Sequence, residues 1–140
     1  KLLSYKEQIL DSEMMNLAVL NGLLKSAIEK LKGLEEEREK YKEEFGLKMS
    51  QQITAATCSM YASYEKHIKE QIRLSEKEIR VIEKQIEEQI ERVKNLKMET
   101  KSLETIKESR YVEYKKEELK KEEQFIDEFV SGSRVMGTVN

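Results

Sequence analysis

Proline is missing altogether from these 140 residues, and cysteine and histidine occur once each. Without proline nothing forces a long helix to kink or stop. The lone Cys58 rules out an internal disulfide and fits a reducing compartment. The lone His67 cannot supply the paired Glu-x-x-His repeats of a helical di-metal site, a histidine-rich zinc site or a convincing Ser–His–Asp relay. The five glycines stand apart from one another, so no glycine-rich phosphate loop is present. No apolar run approaches the ~18–20 residues that span a bilayer, and no signal-peptide pattern opens the chain. Catalytic residues, metals and cofactors are therefore not expected. The many carboxylates of so polar a chain are expected to be solvated and to lie in no cleft that would shift their pKa values.

What the chain has is charge and period. Charged residues make up 39% of it, against roughly 25% in an ordinary globular domain. The 26 basic and 28 acidic side chains are interleaved and leave a net charge of −2, so no basic stripe for a nucleic acid forms. The 38% of hydrophobic residues suffice for a narrow seam and not for a wide interior. Leu3, Leu10, Leu17, Leu24 and Leu31 fall seven apart, which a disordered chain of the same composition has no reason to maintain. A strict heptad keeps one seam on a partner helix and signals a coiled coil.

The first stretch continues that set through Arg38 to Phe45. A second heptad position holds Leu20, Ala27, Leu34 and Tyr41, after the charged Lys6 and Glu13. Gly22 and Gly33 sit inside this helix at about 1 kcal/mol each relative to alanine, and would let another backbone approach closely. The second stretch carries Tyr61, Tyr64, Ile68, Ile72, Ile79, Ile82, Ile86, Ile90, Val93, Leu96, Leu103 and Ile106. Its step of four from Ile86 to Ile90 predicts a local unwinding of the supercoil. A leucine-rich ridge facing an isoleucine-rich one suits two distinct helices of one chain better than a symmetric zipper.

The fold expected is all-α: a long antiparallel coiled-coil hairpin of two helices, the second longer. Helix 1 spans about 2–50, the turn about 51–59 and helix 2 about 60–129, forming one unit over 1–130 before a flexible tail at 131–140. Reflection about Ala55 opposes Leu31 to Ile79, Leu24 to Ile86, Leu20 to Ile90 and Leu17 to Val93. It also sets Tyr41 against Ile68 and Phe45 against Tyr64 or Glu65. The arm then spans roughly 75 Å and the longer helix roughly 100 Å. Residues beyond about 108 lack an internal partner, and Tyr111, Tyr114, Leu119, Phe125, Ile126 and Phe129 make an apolar stripe there. Glu36–Lys40, Glu65–Lys69, Glu76–Arg80 and Glu117–Lys121 are spaced to pair along the outer faces, at ~0.2–0.5 kcal/mol each.

Three runs of residues carry a family likeness: Leu2-Leu3-Ser4-Tyr5-Lys6-Glu7, Tyr64-x-x-His67-Ile68 after the turn, and Glu123-Gln124-Phe125-Ile126-Asp127-Glu128-Phe129 near the end. In this order and spacing the chain resembles the flagellar export protein FliJ family, whose counterparts are the injectisome stalk proteins. The resemblance covers nearly the whole chain. It implies a non-enzymatic stalk of the type III export apparatus, serving flagellar assembly, motility and chemotaxis. Such a protein would be cytoplasmic and peripheral to the inner membrane at the flagellar base. The helix-terminus end would insert into a hexameric export ATPase. The turn-proximal end would engage the cytoplasmic part of a membrane export gate, and export chaperones would be further partners. A monomer in isolation is expected, with no nucleic acid bound and no direct membrane insertion. Family members begin about ten residues before the L-L-x-Y-x-E step, which fits a start upstream of Lys1.

Carried over by position, the gate contacts would be Leu34, Tyr41, His67, Gln71 and Leu74. The chain departs from the family pattern at His67 and Gln71, and also at Lys30 and Glu37. Leu34 and Tyr41 also belong to the seam, where packing alone accounts for them. Leu119, Phe125, Ile126 and Phe129 are the expected ring contacts, because an apolar cluster without an internal cover needs an external one. A general coiled-coil tether and a holdase-type chaperone are the alternative functions. The second of these would need a β-forming segment for oligomerisation, and none is evident.

Overall fold

Two helices meet at a short polar connection whose side chains tie off both ends. The computed structural model describes the backbone of residues 1–139 and the side chains of residues 1–132. Helix α1 runs Leu2–Met49 (48 residues) and α2 runs Ala55–Val139 (85 residues), an all-α hairpin with the longer helix second. At the end of α1, Ser50 Oγ donates to the Leu47 carbonyl at 2.6 Å and the Gln51 N–H donates to that of Lys48 at 3.0 Å. These bonds satisfy carbonyls that the helix leaves open. Thr54 caps α2: its Oγ1 accepts the Thr57 N–H at 3.2 Å and lies 3.0 Å from Thr57 Oγ1. The connection is thus Ser50–Thr54, and α2 begins at Ala55 rather than near residue 60. The spacing Thr54-x-x-Thr57, an N-cap signal, was there to be read. At the other end α2 continues past residue 129 to Val139. The tail expected to be flexible lies, from residue 133 on, outside the described side chains, and Asn140 lies outside the described backbone.

The chain's contacts divide into two units, Gln8–Asn95 and Lys1–Glu7 with Leu96–Asn140. In the first, α1 and α2 pack along a heptad seam. Sheltered positions in α1 follow the expected pattern of alternating threes and fours, and they include Glu13 and Arg38 as well as the leucines. In α2 the sheltered positions run Ile68, Ile72, Ser75, Ile79, Ile82, Ile86, Gln89 and Val93 without a break in the heptad. The expected step to Ile90 is therefore corrected: Ile90 is 50% exposed, and Gln89, 8% exposed, holds the seam. A buried amide is tolerated there because its Nε2 donates to the Glu13 carbonyl at 2.8 Å and to Glu13 Oε2 at 2.6 Å.

The pairing register is also corrected. Glu13 meets Gln89, Arg38 meets Glu65 and Tyr41 stacks on Tyr61, contacts that reflect about residue 51 rather than Ala55. That difference is one heptad of slip between the helices. It places Leu31 level with Ile72, Leu24 with Ile79, Leu17 with Ile86 and Leu10 with Val93. Ala27 comes level with Ser75, and both are small and buried. A seven-residue shift keeps apolar ridge against apolar ridge, so periodicity alone cannot choose between the two registers. The shorter turn and the polar pairs choose.

No other backbone approaches Gly22 or Gly33: a Cβ built at either meets nothing within 4 Å. None of the four expected Glu/Lys pairs along the outer faces is formed among the described residues. Glu65 pairs across the seam with Arg38 instead, and the within-helix pairs are Glu70–Arg73 and Glu118–Lys115.

In the second unit, Lys6 Nζ reaches Glu99 Oε2 at 3.0 Å, and Thr100 is buried while Leu96 and Leu103 are half-buried. Beyond Leu103 every described residue, 104–132, is exposed. No helix among the described residues is long and apolar enough to cross a membrane.

Candidate partner-binding surfaces

Nearest the connection, aromatic rings close the hairpin. Phe45 stacks on Tyr61 with centroids 3.8 Å apart and planes 9° from parallel. Tyr61 stacks on Tyr41 at 5.4 Å and 3°, and Tyr41 leans on Tyr64 at 3.9 Å and 31°. The Tyr64 hydroxyl donates to Glu37 Oε1 at 2.8 Å. Burial of the phenol, then that hydrogen bond to a carboxylate, pushes its pKa up to about 12. Beside the rings, Arg38 donates from Nε at 2.9 Å and from Nη2 at 2.6 Å to Glu65 Oε1. That hydrogen bond first, against some desolvation, holds the guanidinium pKa above its usual value. Farther along the seam the Gln89 amide is the first cause of a lowered Glu13 pKa, with burial opposing it and Arg92, 3.6 Å away, assisting.

The five turn-proximal residues expected to meet a gate are not all presented to one. Leu34 and Tyr41 are half-buried in the seam, and Gln71 is half-buried beside the buried Ile72. His67 and Leu74 are exposed. Leu74 lines an open groove with Leu23 and Val81, floored by Ile82 and flanked by Lys77 and Glu78. Val81 escaped the sequence reading although it stands seven residues after Leu74, which itself stands seven after His67. Leu23 carries no comparable signal, because its place on α1's rim depends on the register.

In the other unit, the four residues expected to meet an ATPase ring are all exposed: Leu119 by 58%, Ile126 by 58%, and Phe125 and Phe129 each by 70%. Val112 and Val130 extend this surface; Val112 stands seven before Leu119, a spacing that would have found it. Tyr111 lies under the Lys115 ammonium, 5.7 Å from the ring centre. The Tyr114 hydroxyl donates to Glu118 at 2.9 Å, which raises its pKa. A second groove joins Leu3 to Tyr111 and Val112. Cys58 is exposed. No group of three or more histidine, cysteine, aspartate or glutamate side chains among the described residues is arranged to hold a metal ion.

These features define a class: antiparallel two-helix coiled coils whose apolar residues lie partly in the seam and partly on open surfaces. Within that class the match is specific, because the family model described as "Flagellar FliJ protein" covers residues 1–133 and the chain belongs to that family. The chain is thereby a member of a family of non-catalytic components of the flagellar export apparatus. No curated protein and no solved structure matches the chain.

Proposed function

We propose that this protein is the stalk of the export machine. Its terminal-helix surface enters a hexameric export ATPase, and its turn-proximal surface meets the cytoplasmic part of the export gate. Export chaperones are further partners in this reading, and the site of action is the cytoplasmic face of the flagellar base. The observation that supports it most is the run of apolar side chains at Leu119, Phe125, Ile126 and Phe129, all exposed where no described residue from 104 to 132 is sheltered. Apolar patches left open in this way mark surfaces that another macromolecule covers. A coiled coil inside a ring of six like subunits touches each of them differently. It thereby biases their conformational equilibria, which would favour ring assembly and order the nucleotide states. At the turn-proximal end, His67 and Leu74 carry the gate contact together with Leu23 and Val81. Leu34 and Tyr41 support that surface from within the seam.

The test is a titration of a purified flagellar export ATPase with the full chain, reading hexamer content and ATP turnover. Both should rise to a plateau near one chain per hexamer. Removing residues 119–140 should abolish the rise while helicity per residue stays near its original value. No gain at saturating ratios, or a fully active truncation, overturns the placement of the ring-binding surface.

A further inference from the structure

Residues 115–123 read K-K-E-E-L-K-K-E-E, a segment in which reflection through Leu119 turns every charge into its opposite. Farther out Arg110 reflects onto Glu128 and Val112 onto Ile126, while Glu108, Glu113 and Asp127 reflect onto uncharged residues. At 100° per residue, Val112, Leu119 and Ile126 lie within about 20° of one line along α2, and Lys115, Lys116, Glu122 and Glu123 within about 60° of it. All are exposed. This part of α2 thus carries an aliphatic stripe with basic residues at one end and acidic residues at the other, every one of them exposed.

We propose that this stripe is a homodimer interface, in which residues 108–130 of two copies pack antiparallel about a two-fold axis through Leu119. In that arrangement Leu119 meets its own copy, Val112 meets Ile126, Lys115 meets Glu122 and Lys116 meets Glu123. A two-fold contact must be self-complementary, and the central residues 115–123, whose charges invert on reflection, meet that condition. The parallel arrangement sets Lys115 on Lys115 and Glu122 on Glu122, and like charges so placed repel. An unrelated helix would have to reproduce the same order of charges to fit as well. The contact is only about three heptads long, at the small end of protein interfaces, so association is weak and the chain is a monomer when dilute. Leu119 and Ile126 also belong to the surface proposed above for the ATPase ring, so dimer formation and ring insertion exclude one another. The proposal does not rest on that reading, because it follows from the charge order and the exposure of the stripe.

Sedimentation equilibrium of the full chain over a wide concentration range should show a monomer–dimer equilibrium. The variants K115E/K116E and E122K/E123K should each weaken the dimer by roughly tenfold or more, since each places like charges together. Mixed in equal amounts they should form a heterodimer, because every pair is again opposite. Orientation is read by cysteine crosslinking in a Cys58→Ser background. Leu119→Cys should link to itself, Val112→Cys alone should not, and Val112→Cys mixed with Ile126→Cys should. A monomer at every concentration, a mixture that fails to pair, or self-linking by Val112→Cys overturns the proposal. The first of these outcomes would leave the stripe to a different protein.

Discussion

Ser75 offers a sharp test of the seam. Its residue is 2% exposed, and its hydroxyl is buried without a hydrogen-bond partner. A buried polar group left unpaired costs about 1–3 kcal/mol. Replacing serine by alanine in a helix interior adds roughly 0.5 kcal/mol of propensity. Against these stands the packing of one lost oxygen, a few contacts of ~0.1–0.2 kcal/mol each. Ser75→Ala should therefore stabilise the protein by about 1–2.5 kcal/mol, a rise in melting temperature of roughly 3–8 °C. Far-ultraviolet circular dichroism during thermal and urea unfolding reads both quantities, and the urea slope should not change. Ser75→Val probes the same space from the other side. Level with the buried Ala27, the two added methyl groups have no room, and overpacking of about 1–3 kcal/mol should cancel or reverse the gain. A lower melting temperature for Ser75→Ala would show that the hydroxyl has a partner, and would refute the reasoning from an unpaired group.

Gly22→Ala and Gly33→Ala should each stabilise by about 1 kcal/mol and add independently, because nothing approaches either site; a loss in urea midpoint at either would reveal a packed neighbour. Tyr64 should make the protein sensitive to alkali. Its pKa stands near 12 in the folded chain against an ordinary 10.0, so the unfolded state loses its proton first as pH rises. The stabilising contribution is complete below pH 10 and is lost between pH 10 and about 12. Urea midpoints across that window should fall less steeply in Tyr64→Phe, and an identical slope would contradict the burial of the phenol together with its Glu37 contact. Finally, leucine at Glu13, Arg38 and Gln89 together should release the register. In a Cys58→Ser background, a Leu34→Cys/Ile68→Cys pair should crosslink with the native seam. A Leu34→Cys/Ser75→Cys pair, one heptad away, should crosslink only after that triple replacement.

The helices themselves were legible in the residue order. A proline-free chain with leucines every seventh position dictates helix, and the second set at Leu20, Ala27, Leu34 and Tyr41 defined which face of α1 is sheltered. The open stripe at Leu119, Phe125, Ile126 and Phe129 was legible too, because its apolar residues lie beyond the layers that Leu3 and the leucines after it can reach. The turn-proximal patch was less so, since exposure there depends on which residues of the opposite helix stand alongside. Leu34 and Tyr41 turned inward, while Leu23 and Val81 joined Leu74 on an open groove.

Register was beyond the residue pattern for a definite reason. A heptad repeat maps onto itself when one helix slides by seven residues, so reflection about Ala55 and about residue 51 bury much the same aliphatic surface. What separates them is specific to three dimensions: a Thr54 cap that shortens the connection to Ser50–Thr54, and the meetings of Arg38 with Glu65 and of Glu13 with Gln89. Those same meetings explain why charged and amide residues occupy seam positions at all. Local spacing determined the helices and their faces; the burial of a few polar groups, each needing one particular partner, decided how the two helices align.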